Sequence, residues 1–594
     1  MIFSRPNATS SLQERVFAAG WTSWVAAFIL LAITGVIVPA LIAAHFGAMS
    51  IPSNDDWSYI LSSYQLADSG TLNSFGWVTI NLVGQLSAAV PVIWIFGHHI
   101  APLRFETLTI GFLALLATFD LGQRLLSAPR ALFIAVIVSI GPLWAVLTAS
   151  FMTDIPGMAC GLVCLALGAR SLEHQSLRPL LFASALIVGV AGFSIREYAI
   201  VAPIAVCLAA LCVFGKTPGR RVALGAILLG VLVVCLGIYV WRQRAGLPGH
   251  GLTSPLASSA LPVANVIEKI KQYLIFIGLA IAPVVALANP RQCLRKSFRE
   301  MPGATFLTAV ITVGVLAGEA GTQSSTGNIL GPGNYLLSNG ILGNDLIYIG
   351  HRPNLFAPWV LITAAVIGIA SVTIAMCVLI PAVIKSARTD RMRYVLTPQR
   401  PTVFLLGLAA IGYGLTCGIP GLLGQPAFDR YALPLLPIIA ILVLAAADQA
   451  HITQRYLIIC ATSLAIVLAG FSAIYALNYA SFTSSLWKLD AQIAPSAPSA
   501  HQFNGGIVWN SYVARKFVGF HPTDTCIEVI NVAPRTRVLA DANQVIGVKH
   551  RHPIQRVTVL ATVPVWGPWG IQERLAAVQT GACRPITAPV TTHK

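Results

Sequence analysis

The chain has 594 residues, 56% of them hydrophobic and only 10% charged, with a mean hydropathy of +0.76. A soluble protein of this size carries about a quarter charged residues, so a soluble globular chain is excluded. The formal net charge of +17 does not call for a nucleic-acid partner, because Lys and Arg gather in the cytoplasmic loops of membrane proteins.

Apolar runs of membrane-spanning length recur along the chain, and the positions of Lys and Arg set their orientation. The first run, 21–44, is too long for a signal-peptide core and lacks a small-residue cleavage site, so it is expected to be a retained span leading outward. Residues 45–104 follow. The apolar piece 78–96 within them would, as a span, put Arg124 and Arg130 outside; it also holds Asn81, Gln85, Ser87 and Pro91. The whole of 45–104 is therefore expected to be one external loop with amphipathic helices on the membrane surface. Spans are then expected near 105–123, 131–149, 155–169, 179–194, 198–215, 222–241, 272–289, 303–318, 357–384, 402–418, 431–447 and 456–477. This makes thirteen spans and keeps every large basic cluster on one side. Residues 1–477 are read as the membrane domain, with a second large external loop at 319–356. The tail, 478–594, has ordinary polarity, turn residues and β-like runs, and is expected to be a small external α/β domain. The fold class is thus an all-α polytopic membrane bundle with external amphipathic helices and that small domain.

Eight cysteines (Cys160, Cys164, Cys207, Cys212, Cys235, Cys377, Cys417, Cys460) lie in apolar runs and act as small hydrophobes. Cys526 and Cys583 fall in the polar tail, where an oxidising compartment would permit a disulfide.

Acids are scarce, and that singles out the few on the expected external side. The stretch 51–59 (IPSNDDWSY) places Asp55 and Asp56 just beyond the first span, ahead of a short helix that includes Trp57 and Tyr59. One Asp there is explained as an N-cap; two are not. A carboxylate near a low-dielectric surface suits a general base. Asp154 opens a span before Ile-Pro, a good helix start as well as a site position. Arg196-Glu197 interrupts an apolar stretch, where ionisable groups are functional by default. Arg430, beside Tyr431, lies on the expected external side against the basic bias, and Arg352 ends the 319–356 loop; guanidinium suits bidentate phosphate contact. The loop itself reads equally as a lid or as a plain exposed loop. His98-His99 is no metal pair, since adjacent helical residues face apart, and no metal motif, nucleotide loop or Ser/His/Asp set is visible.

In this order the residues resemble the membrane-embedded C-type glycosyltransferases, nearest the branch of protein O-mannosyltransferases and the lipid A aminoarabinose transferase. The likeness rests on Asn54-Asp55-Asp56-Trp57 after one span, Phe96-Gly97, Leu103-Arg104, the run Ser150 to Asp154 and the run Asp429 to Pro434. It covers roughly 45–200 well and 425–440 moderately. The resemblance implies thirteen spans, a polyprenyl-phosphate sugar donor and inverting transfer to a lipid, glycan or protein acceptor. It also implies that Asp55 is the catalytic base or orients the acceptor, with Asp154 as the second acidic position. Members often carry Asp-Glu where this chain has Asp-Asp, which leaves the role of Asp56 less defined. Metal use varies among members, so no cofactor is assigned and a divalent metal stays open. The expected site is then Asp55, Asp56 and Asp154 as acids, Arg196, Arg430 and Arg352 on the donor phosphate, and Trp57, Tyr59 and Tyr431 in the pocket, in a multi-pass protein of a bacterial inner membrane with the site and tail outside. Two other classes fit such a chain. A transporter or flippase of a lipid-linked or small solute predicts midplane charges and internal repeats. A non-catalytic scaffold presenting the tail predicts silent changes at Asp55 and Asp154.

Overall fold

The computed structural model describes residues 9–75, 80–173, 176–245, 262–323, 330–333, 335–342, 352–388, 401–422, 428–447, 455–497, 502–516, 518, 525–532, 558–568 and 570–579. It is a helical bundle with a small sheet near the C-terminus, and the expected fold class is borne out in those terms. Among the described residues eleven helices are long and apolar enough to cross a membrane. Two shorter apolar helices, Ala128–Ser139 and Pro179–Ile195, fall where further spans were expected, and a third, Val83–Phe96, falls where a surface segment was expected.

In chain order α1 (Thr9–Ala32) runs through a π turn (Ile33–Ile37) into α2 (Val38–His45), then α3 (Asp56–Ser69), α4 (Val83–Phe96), α5 (Ile100–Gln123), α6 (Ala128–Ser139), α7 (Trp144–Thr148), α8 (Asp154–Leu172) and α9 (Pro179–Ile195). After a 3-10 turn (Glu197–Ile200) come α10 (Val201–Phe214), α11 (Pro218–Arg244), α12 (Pro262–Leu287), α13 (Pro290–Glu300), α14 (Pro302–Gln323) and α15 (Pro358–Arg388). The chain continues with α16 (Pro401–Leu422), a 3-10 turn (Asp429–Ala432), α17 (Leu435–Ala447), α18 (Arg455–Ile493) and α19 (Gly506–Ala514). Prolines open α9, α11, α12, α13, α14, α15 and α16, where the missing N–H is not needed and φ is already helical.

The helices pack through small residues, as expected where lipid gives no hydrophobic drive between them. Gly278 of α12 and Gly368 of α15 bring two backbones into direct contact. The π turn leaves the Gly35 carbonyl to accept a 3.0 Å hydrogen bond from the Trp144 indole of α7.

Two ends of the bundle can be told apart. At one end α5 and α8 finish together: Asp120 accepts from Arg124 (3.1 Å) and Arg170 (2.6 Å), and Glu173 pairs with Arg124. Residue 154 opens α8 at the other end, about 27 Å away at 1.5 Å per residue.

α18 has 39 residues, about 58 Å of helix, roughly twice the hydrocarbon thickness. Its distal half carries the sheet: Asn478 donates to the Trp566 carbonyl (2.8 Å), Ser485 to that of Pro564 (3.1 Å), and Trp566 N–H donates to Ser481 (3.0 Å). Two short strands, β1 (Leu336–Leu337) and β2 (Gly340–Ile341), make a hairpin within the expected 319–356 loop. The sheet holds β3 (Phe503–Asn504), β4 (Ile527–Val532), β5 (Thr558–Gly567) and β6 (Gly570–Gln579) in the order β3-β4-β6-β5, antiparallel except for β3 with β4. Cys526 is disulfide-bonded; Cys583 lies outside the described residues.

Candidate active site

The acidic turn splits the two adjacent carboxylates between different jobs. Asn54 adopts a left-handed backbone (φ 49°), which Asn tolerates better than most residues, and its amide donates to the Tyr335 hydroxyl at 2.6 Å. Asp55 then stands at the N-cap of α3, with its side chain 23% exposed. Asp56, the first helical residue, turns the other way and is wholly buried. It accepts from Ser53 N–H (2.5 Å), Ser53 Oγ (3.2 Å), Phe151 N–H (3.3 Å) and Arg104 Nη2 (2.9 Å). Arg104 also donates to the carbonyls of Ala48 and Ile51. Burial pushes the Asp56 carboxyl up, while Arg104 and the two backbone N–H groups pull it back. Asp56, expected beside Asp55 as an acid of the site, instead ties the turn to α5 and to the segment between α7 and α8, accepting four hydrogen bonds.

Asp154 is fully buried at the start of α8. Arg196 leaves the break between α9 and α10, its Nη2 3.0 Å from Asp154 Oδ1 and its Nη1 donating to Thr153 Oγ1 at 3.0 Å. Arg430 leaves the 3-10 turn before α17 and lies between two acids, 3.6 Å from Asp154 Oδ2 and 3.9 Å from Asp55 Oδ2. The structure thus brings Asp55, Asp154, Arg196 and Arg430 into one cluster, from four segments far apart in the chain. Tyr59, on α3, lies within electrostatic reach of all four, and burial pushes its phenol up. Tyr431 stands 5.4 Å from the Arg196 guanidinium, and Tyr335 and Phe428 stand 5.3 and 4.8 Å from that of Arg430. Burial opposes the charge on Arg196, but Asp154 outweighs it and holds the guanidinium protonated.

Hydrogen bonding here is incomplete. Arg430 Nε and Nη1, Arg196 Nη2 and both Asp154 carboxylate oxygens make no hydrogen bond of good geometry, the 3.0 Å Arg196–Asp154 contact being an ion pair without the alignment of one. The 3.6 and 3.9 Å separations at Arg430 exceed hydrogen-bond length. Buried polar groups are almost always satisfied, so each exception asks for a reason.

Two other expected residues lie elsewhere. Arg352 is buried, donating to Asn478 Oδ1 (2.8 Å), with its guanidinium 4.1 Å from the Phe482 ring centroid; it ties the hairpin to α18. Trp57 is 1% exposed within the main hydrophobic core, because α3 is buried on every side from Asp56 to Tyr64. His98 pairs with Asp68 (2.9 Å) and stacks on Tyr64. Among the described residues no group of three or more His, Cys, Asp or Glu is arranged to hold a metal.

Residues 90–241 match the family model described as dolichyl-phosphate-mannose-protein mannosyltransferase. The match covers about a quarter of the chain, and over that segment the chain is similar to a family of membrane glycosyltransferases. The resemblance read from Asp55, Arg104 and Asp154 is borne out at the level of family. The matched segment holds Arg104, Asp154 and Arg196; Asp55 and Arg430 lie outside it. No curated protein sequence matches the chain. Among solved structures it is similar to the ArnT of Cupriavidus metallidurans bound to undecaprenyl phosphate, at 14% identity over 96% of this chain and 99% of that one, with a TM-score of 0.38. It is also similar to the oligosaccharyltransferase of Archaeoglobus fulgidus in the apo form (13% identity, 85% and 60% covered, TM-score 0.40).

Sequence reasoning passed over Asp429. Its carboxylate accepts from the N–H groups of Tyr335 (3.1 Å), Leu336 (2.6 Å) and Arg430 (2.9 Å), so it hangs the hairpin beside the site. A signal was available: it is an acid next to an isolated external base. Arg242, at the end of α11, was not singled out in the sequence either; it lies within electrostatic reach of Glu197 and Tyr59.

Proposed function

We propose that the protein transfers a sugar from a polyprenyl-phosphate-linked donor to an acceptor hydroxyl on the external, periplasmic face of a bacterial inner membrane, with inversion at the anomeric carbon. The observation that carries this reading is Arg430. A buried guanidinium with two unbonded nitrogens, held loosely between two carboxylates, is a ready partner for an arriving phosphate.

Inverting transfer is a single displacement. The acceptor oxygen attacks the anomeric carbon from the face opposite the phosphate, the bond from that carbon to the phosphate oxygen breaks, and the lipid phosphate leaves with the electron pair. Two groups are required: a base for the acceptor proton and a fixed positive field for the leaving phosphate. Asp55 suits the base, as the one of the three expected acids that keeps some exposure. Arg196 and Arg430 suit the field. Asp154, buried between them, holds both in place. Two carboxylates and two guanidiniums cancel in the resting cluster, so an incoming phosphate makes it a net acceptor of negative charge only if a guanidinium changes partner. The long contacts at Arg430 make it the one to do so.

The external placement is supported by the position of the cluster. It opens α8, while Arg170, near the end of the same helix, joins the basic end of the bundle that the positive-inside bias assigns to the cytoplasm. A disulfide at Cys526 fits an oxidising compartment for the tail. The family description names a lipid-phosphate sugar as donor for its members. The test is to incubate the purified protein with a panel of polyprenyl-phosphate sugars and score release of lipid phosphate. Release from one donor, dependent on an added acceptor and lost in Asp55→Asn, is expected. Release from none of them refutes the reading.

A further inference from the structure

Far from the cluster, two spans reverse direction through one short helix. α12 begins beside the cluster: the Tyr273 hydroxyl donates to the Phe428 carbonyl (2.8 Å), two residues before Arg430. It ends at Leu287, about 21 Å further on at 1.5 Å per residue. α14 returns, and Glu319 near its end stands 3.6 Å from Lys271 of α12. α13, between the two, has 11 residues, about 16 Å of helix, too short to cross a bilayer.

The two faces of α13 differ. Cys293 and Ser297 are buried one turn apart where the helix packs on α14 and α15, and the Cys293 thiol donates to the Ala288 carbonyl (3.0 Å). Arg291, Arg295 and Arg299 are exposed, and Phe298 is 40% exposed. By helical spacing these four share an arc of about 100°, turned away from Cys293 and Ser297. Among the described residues none of the three guanidiniums has an ion pair or a side-chain hydrogen bond. At the same end of the bundle Arg124 and Arg170 are matched by Asp120 and Glu173.

The row weakens the helix that carries it. Like charges one turn apart repel, and Arg291 in the first turn opposes the helix dipole. The positive-inside bias accounts for the number of cations at this end, not for three of them on one face. An anionic partner offsets each of these oppositions. We propose that α13 lies in the membrane interface of the leaflet opposite the cluster and binds anionic phospholipid, with headgroup phosphates bridging Arg291, Arg295 and Arg299 and the Phe298 ring set among the upper acyl carbons. Guanidinium suits the phosphate. Phe298 selects a lipid over a soluble anion, because a ring beside a cationic row, level with the ends of two spans, stands at the boundary of headgroups and acyl chains. The proposal does not rest on the transferase reading.

The test uses the delipidated full-length protein in a neutral detergent. Native mass spectrometry during titration with phosphatidylglycerol or phosphatidylcholine reads the lipids retained. Preferential retention of phosphatidylglycerol is expected, weakened about tenfold or more in the triple variant Arg291→Gln, Arg295→Gln, Arg299→Gln and about threefold in Phe298→Ser. A control of equal charge, Arg178→Gln, Arg220→Gln, Arg455→Gln, removes three exposed arginines scattered along the chain and should stay within twofold of wild type. Phosphatidylglycerol should also raise the unfolding temperature of the wild-type protein and not that of the row variant, which without lipid should be at least as stable as wild type. No preference for phosphatidylglycerol in the wild-type protein overturns the proposal. So does an equal loss in the control, which leaves charge count alone as the cause. A row variant less stable than wild type without lipid gives the row a structural role and overturns it too. Displacement of the lipid by equal concentrations of glycerol 3-phosphate assigns the row to a free anion, and displacement by polyglutamate assigns it to an acidic protein; either result overturns the lipid.

Discussion

The two ends of helix α8 carry ion clusters of the same composition. Asp120, Glu173, Arg124 and Arg170 stand at one end; Asp55, Asp154, Arg196 and Arg430 stand at the other. Each has two acids and two guanidiniums. At the first, Arg170 is 44% exposed and Asp120 receives hydrogen bonds from two arginines. Its contacts are all of hydrogen-bond length, and Arg170 stands open to solvent. At the second, Arg196, Arg430 and Asp154 are sealed from solvent, two of the contacts to Arg430 exceed hydrogen-bond length, and several polar atoms are unpaired. Charge composition does not separate the two clusters. Burial combined with unfinished hydrogen bonding does, since a protein interior retains such a deficit only when something else supports it.

Substitutions can break this contrast, and they rank by their effect on turnover. Asp55→Asn keeps the shape and removes the base. It should lower lipid-phosphate release by about a thousandfold, within the range for a general base, while membrane insertion and yield persist; near-wild-type release would remove Asp55 from the chemistry. Arg430→Met removes the field at the leaving group and should lower kcat by about a hundredfold, with Arg430→Lys intermediate because one charge is kept and the planar fork is lost. Single-turnover assays separate that loss from weaker donor binding. Asp56→Asn leaves Arg104 buried without its counter-ion. It should cost about 3 kcal/mol or more of stability, read as a lower unfolding temperature in detergent, with kcat per folded molecule nearly unchanged. If Asp56→Asn instead abolishes kcat at full stability, the division of labour between the two acids is wrong. Arg170→Ala, at the exposed cluster, should leave release unchanged and shift stability by no more than about 1 kcal/mol. An equal loss of turnover from Arg170→Ala and Arg430→Met would dissolve the contrast altogether.

The residues of the cluster were legible because charge is rare in this chain and each interrupts an apolar run at an expected external end. The same rarity misled at Asp56. Its acid is as conspicuous as Asp55, but one step along a helix turns a side chain by about 100°, and only the fold shows that Arg104 waits on the far side. Arg352 misled for a related reason: a lone external arginine reads as a phosphate ligand until Asn478, 126 positions on, is found against it. Trp57 was placed in a pocket because aromatics flank many sites, and nothing in its neighbours announces a helix buried on all sides.

One peptide bond separates Asp429, from which the 335–341 hairpin hangs, from Arg430, which reaches the acids. The anchor of the hairpin and the charge that reaches Asp55 and Asp154 thus lie on one piece of backbone. An extra residue between them would leave every side chain of the site in the sequence and still put the hairpin out of register with the charge beside it. At this point in the chain, length is constrained as tightly as residue identity.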